Sequence, residues 1–250
     1  MAEMVAYWLP KDGTPAAEWE DGVAYSRQSG WFAVADGAST GNSSREWAYT
    51  LASTFVADRS AQALHDDSSQ SFLDWVDTAR ARFDPKSPEF PVSRMPEWVQ
   101  AAGDRMGAHA TFIGGRLDDG HVRAVAVGDC CLFHLHAASG RTTAFPLSEP
   151  GQFNSNPRLL SSLGDRDHQL ADAVRHYRAP FAPGDVVFAA SDAFAEWLTK
   201  GIDDPDVWKA LSGIGNKGFR RLCQDLRMSR RMKNDDVTLW RASVPERSKR

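Results

Sequence analysis

Carboxylates stand at the ends of apolar runs in this chain. Asp36 follows "WFAVA" (31–35), Asp129 follows "AVAVG" (124–128) and Asp192 follows "VVFAAS" (186–191). Glu20 and Asp21 precede "GVAYS" (22–26), and Asp235 and Asp236 precede "VTLW" (237–240). One acid of this kind needs no chemical explanation, because a buried strand often finishes in a polar turn. Several acids brought to one place do need one. Like charges at short range raise each other's pKa, and bound cations relieve the repulsion. Oxygen donors without cysteine or histidine at ligand spacing favour Mg²⁺ or Mn²⁺ over Zn²⁺.

Whether the acids meet depends on the elements that carry them. The runs at 31–35, 122–127, 186–190 and 237–240 read as buried strands. "RQSG" (27–30) is short enough to close a hairpin between "GVAYS" and "WFAVA", which sets Glu20 and Asp21 beside Asp36. If the remaining strands alternate in the same way, all five acidic positions gather along one edge of the sheet. The stretches 44–59, with Trp47, Leu51 and Phe55 on one stripe, and 218–228, with Phe219, Leu222, Cys223 and Leu226, predict amphipathic helices laid on that sheet. The proline-rich segment 84–97 reads as an insertion loop within a single domain spanning 1–250. There is no internal repeat.

Composition narrows the class. Of 250 residues, 42% are hydrophobic and 25% charged, which suits a globular chain large enough to bury a core without staples. A net charge of −4 argues against a dedicated nucleic-acid binder. The basic stretches "RMSRRMK" (227–233) and "ERSKR" (246–250) read as a solvated surface and a frayed tail. Cys130, Cys131 and Cys223 form no CxxC pair, which points to a reducing compartment. The opening "MAEMVAYWLPKDG" lacks the basic region of a signal peptide, and no window is apolar enough to span a membrane. A cytoplasmic protein with no membrane and no nucleic-acid partner is expected.

The segments "WEDGVAYSRQSGWFAVADGAST", "AVAVGDCCLFHLH", "GDVVFAASDAFAEWL" and "NDDVTLW" occur in the order and spacing of the protein phosphatase 2C family, and most resemble its bacterial-type branch. The resemblance runs from about Glu18 to Ser243. It implies an α+β fold, an αββα sandwich of two antiparallel sheets flanked by helix pairs, with two metal ions, Mn²⁺ or Mg²⁺, at one end. It also implies hydrolysis of phosphoserine or phosphothreonine by a water activated between the metals, with phosphoproteins as substrates and a Ser/Thr kinase pathway as counterpart. Carried over by position, Asp36 would bridge both metals. The Gly37 carbonyl and Glu20 would bind one, Asp192 and Asp235 would complete the other, and Asp129 would serve a third, weaker site. Asp21 and Glu196 would stand behind these ligands. Asp36, Asp192 and Asp235 are thus the expected catalytic set.

Three positions depart from the family pattern. Ala16 stands where an arginine often grips the substrate phosphate, Ala38 where a histidine often follows the "DG", and Ala193 where "SDG" has its glycine. Arg45, at the start of the helix after the Asp36 loop, is the expected replacement for the missing grip, with Lys11 as the alternative. These departures leave two other readings open: a pseudophosphatase scaffold that binds phosphoproteins, and a phosphatase of small metabolites. Three decoys carry less weight. "GIGNKG" (213–218) follows a helical pattern rather than a strand and reads as a helix–helix connection. His134 and His136 share a strand face with nothing nearby expected to complete a metal site. Ser191 lacks a nucleophile elbow.

Overall fold

The computed structural model describes residues 2–38, 43–59, 64, 67–84, 107–118, 120–153, 156–164 and 170–244. Apart from Asp84, the expected insertion loop at 84–97 lies outside these residues, as does the expected tail at 246–250.

Two antiparallel sheets stack face to face. One has the order β1 (Glu3–Leu9), β11 (Val237–Ser243), β10 (Val186–Ala190), β6 (Cys131–Leu135) and β7 (Thr142–Phe145). The other runs β2 (Gly22–Tyr25), β3 (Trp31–Gly37), β4 (His109–Asp118), β5 (His121–Val127) and β9 (Arg175–Pro180), with the short β8 (Leu160–Ser161) paired to β4. Helices α1 (Ser44–Asp58) and α2 (Ser69–Arg82) cover the second sheet. Helices α3 (Asp192–Lys200), α4 (Pro205–Ser212) and α5 (Asn216–Met228) cover the first.

Residue alternation explains why this order is stable. In β3, Trp31, Ala33 and Ala35 pack against α1 and α2, while Phe32 and Val34 face the opposite sheet. In β10, Val186, Phe188 and Ala190 meet the helices, and Val187 and Ala189 meet the other sheet. Strands buried on both faces must be apolar at every position, which is why these runs show no polar alternation. Cys130 and Cys131 fall into different layers for the same reason, and all three cysteines are free and buried. Between the sheets the rings of Phe32 and Trp240 stack, their centroids 4.0 Å apart.

The expected elements stand, with two differences. Strand β3 does not stop before Asp36: it continues through Asp36, paired with Thr111, and Gly37, paired with Ala110. Only the side chain of Asp36 leaves the strand pattern, so the carboxylate is held by a ladder rather than by a loop. The acids also do not line one edge of one sheet. The end of β3, the start of β2 and the turn after β5 belong to one sheet; the end of β10 and the start of β11 belong to the other. The acids meet at one end of the sandwich. As expected, "GIGNKG" opens as the short link between α4 and α5.

Candidate metal centre

Asp36 is the centre of the cluster. Burial, and then the charges of Asp21, Asp192 and Asp129, push its pKa well above the usual carboxylate range, and its carboxyl shares a hydrogen bond with Asp192. Asp192 is the first residue of α3, directly after Ser191 at the end of β10. Asp129, 6% exposed in the turn between β5 and β6, is pushed up to about 7, first by burial and then by Asp192. Asp235 is raised by burial and by Asp192.

Asp21 is the most deeply buried of these acids, at 2% exposure. Its Oδ2 accepts a hydrogen bond from the Thr238 hydroxyl at 2.7 Å, a link from one sheet to the other. The buried Oδ1 has no hydrogen-bond partner in the structure, although Ser191 stands near enough to temper the charge. Burial raises the Asp21 pKa to about 8, with Asp236 and Asp192 adding to the shift. An orphaned, buried carboxylate oxygen beside other carboxylates is costly unless a cation or its hydration shell faces it. With oxygen donors throughout the cluster, these residues fit a hard divalent ion.

Other positions are fixed by backbone contacts. Asp236, 4% exposed, accepts from the Lys11 amide at 2.8 Å and the Glu20 amide at 2.6 Å, so it ties down the segment that carries Glu20. The Glu20 carboxylate pairs with the Lys11 ammonium at 3.1 Å. Gly37 packs against this segment. A Cβ there would lie 2.7 Å from the Glu20 carbonyl oxygen and 2.8 Å from that of Ser44. Neither is a flexible tip, so Gly37→Ala is expected to cost about 1–3 kcal/mol and to push Glu20 away from Asp36. Urea denaturation checks the first effect, and a lowered Mn²⁺ affinity the second.

Arg45, in the first turn of α1, directs Nη1 to the carbonyl of Ala17. Glu196 lies one turn beyond Asp192 on α3 and pairs with Lys200 at 2.6 Å, so its carboxylate is engaged along the helix.

The basic run 227–233 is not simply a solvated surface. Arg227 is 7% exposed and donates to the Pro10 carbonyl at 2.9 Å, to Asp12 Oδ1 at 3.0 Å and to the Asp235 carbonyl at 2.6 Å. It clamps the segment after β1 to the turn before β11 and so positions Asp235. Lys233 reaches into the acids, where its Nζ donates to Asp192 Oδ2 and lies 3.7 Å from Asp235 Oδ2. Burial disfavours its charge, but Asp192 and Asp235 outweigh that and raise its pKa.

The histidines also differ from expectation. His134, His136 and Asp185 offer ligand atoms within 4.8 Å of one another, so Asp185 does complete a group. It lies at the opposite end of β6 and β10, and its inner atoms have protein partners. His134 Nδ1 meets the Tyr177 hydroxyl at 3.1 Å and Nε2 meets Asp185 Oδ2 at 3.1 Å. The Asp185 oxygens accept from the amides of Ala137 at 2.8 Å and Ala182 at 2.9 Å. A cavity of about 390 Å³ lined by Gln28, Ser29, Trp31, Arg59 and Arg116 also lies away from the acids, at the β2–β3 turn.

The raised pKa values set a pH dependence. Between the ordinary aspartate range and about 8, native Asp21 holds a proton that the unfolded chain has released. Metal-free stability therefore falls as pH rises through this window and levels off above it. Denaturation of chelated protein at pH 5.5 and pH 8 should show the fall, and Asp21→Asn should make it shallower.

No family model matches the sequence, and no curated protein does. Solved structures match over nearly the whole chain. The catalytic domain of the serine/threonine protein phosphatase PstP in complex with two manganese ions has a TM-score of 0.62 at 17% identity, covering 98% of this chain and 99% of that one. A bacterial serine phosphatase has a TM-score of 0.65 at 12% identity, covering 99% and 100%. The serine/threonine phosphatase Stp1 from Staphylococcus aureus has a TM-score of 0.62 at 13% identity, covering 98% and 95%. The αββα fold expected from the sequence is the fold these structures share.

Proposed function

We propose that this chain, built on the fold of the bacterial serine/threonine phosphatases, is a metal-dependent phosphatase of phosphoserine and phosphothreonine in proteins, using Mn²⁺ or Mg²⁺. One observation carries the reading: carboxylates from both sheets converge at one end of the sandwich, and burial and mutual repulsion raise the pKa of Asp36, Asp129 and Asp235. Asp36, Glu20 and the Gly37 carbonyl would hold one ion, Asp36 with Asp192 and Asp235 a second, and Asp129 a third. Divalent ions bound there would lower the pKa of water from about 15.7 toward about 7 and neutralise charge on the phosphoryl oxygens.

The chain's own residues supply the rest. Asp21, buried behind the ligands, would orient water through its free oxygen. Glu196 would have to leave Lys200 to take the same role. Arg45 is the better phosphate grip, because it bonds the carbonyl of Ala17, next to the alanine that stands in the family's arginine position. The Lys11 charge is already offset by Glu20. The structural neighbours named as protein phosphatases support a phosphoprotein substrate, and a Ser/Thr kinase pathway is its natural counterpart. The buried free cysteines support a cytoplasmic setting. Among the described residues no helix is long and apolar enough to cross a membrane.

Hydrolysis of an aryl phosphate with Mn²⁺, with and without a chelator, tests the reading. A phosphopeptide panel against phosphorylated metabolites then tests the substrate class. Activity is expected with Mn²⁺ and lost on chelation. Activity that survives chelation and dialysis would overturn the metal-dependent reading, and a folded, Mn²⁺-loaded protein that hydrolyses no phosphoester would point to a binding scaffold.

A further inference from the structure

Lys233 lies in the turn between α5 and β11, two residues before Asp235. The backbone on either side of it is fixed. Met232 is buried in the core under the helices, and its amide bonds the Leu226 carbonyl at 3.3 Å. On the other side, Arg227 holds the Asp235 carbonyl and Asp236 holds the Glu20 segment. The side chain alone therefore decides where the ammonium goes. It goes to Asp192 Oδ2, with Asp235 Oδ2 at 3.7 Å, yet it remains 44% exposed and free to swing toward solvent.

We propose that Lys233 is a tethered competitor for the metal. Its ammonium neutralises Asp192 and Asp235 when no divalent ion is bound, and it gives way when an ion takes the same oxygens. An ammonium and a divalent cation drawn to the same carboxylate oxygens repel each other, so binding of one weakens binding of the other. The ion carries twice the charge and takes several oxygens at once, so it prevails above a threshold concentration. Lys233 sets that threshold.

This inference rests on the metal reading above, and the test separates the two. Mn²⁺ binding is measured by calorimetry on wild type, Lys233→Met, Lys233→Gln and Lys209→Met, the last removing the same charge from the exposed face of α4. Both Lys233 variants should bind Mn²⁺ at one site about twofold to fivefold more tightly, the scale of a partly exposed ion pair expressed as affinity. Lys209→Met should match wild type. Circular dichroism confirms that the variants fold. Unchanged affinity in both Lys233 variants, with wild type binding Mn²⁺, overturns the competitor role. No Mn²⁺ binding to wild type or variants overturns the metal reading beneath it.

Discussion

Asp36→Asn should abolish turnover while leaving the protein folded. The amide keeps the size of the side chain, and the backbone at position 36 stays in its pairing with Thr111. What disappears is one carboxyl group from a cluster that presses it with Asp21, Asp192 and Asp129. The metal-free variant should therefore melt at or above the wild-type temperature, since a repelling carboxylate has been removed. Its kcat should fall by more than the roughly 10–100-fold typical of losing a group that only orients a ligand. Asp192→Asn should behave in the same way. Steady-state kinetics at saturating Mn²⁺ check both variants, and a kcat within about tenfold of wild type would remove the residue concerned from the site.

Trp240→Ala should cause the largest loss of stability, about 3–5 kcal/mol. Trp240 is fully buried and stacked on Phe32 across the gap between the sheets, at a centroid distance of 4.0 Å. Its indole N–H has no hydrogen-bond partner, so the cost is that of lost contact and an unfilled cavity rather than of an abandoned polar group. Asp36 is carried by one sheet and Asp192 and Asp235 by the other, so loosening the stack should also weaken Mn²⁺ binding. Urea denaturation measures the first effect. A loss below about 1 kcal/mol would mean that the sheets are held together elsewhere.

The strands were legible in the sequence because burial on both faces leaves continuous apolar runs, and the acids were legible because they interrupt those runs. The division into two sheets was not legible from the runs themselves: a strand facing a helix layer and a sheet reads the same in either sheet. It came from the family resemblance. The distinct work of Asp235 and Asp236 was only partly legible. They are neighbours of one type, yet Asp236 turns inward to two backbone amides and Asp235 turns to the cluster. Arg227 and Lys233 were missed because a basic run reads as solvated. The partners of Arg227 just beyond the first strand are more than 200 positions away, and only the closed sheet brings them together. Asp185 escaped notice for a similar reason, since the β6–β10 pairing places it beside His134.

The most direct measurement of the central claim is an anomalous difference map from crystals grown with Mn²⁺. Peaks are expected within the carboxylate cluster, one of them between Asp36 and Asp192, with the Lys233 ammonium displaced from Asp192. Occupancy confined to His134, His136 and Asp185 at the other end of the sandwich, or an acidic cluster with no peak at saturating Mn²⁺, would contradict it.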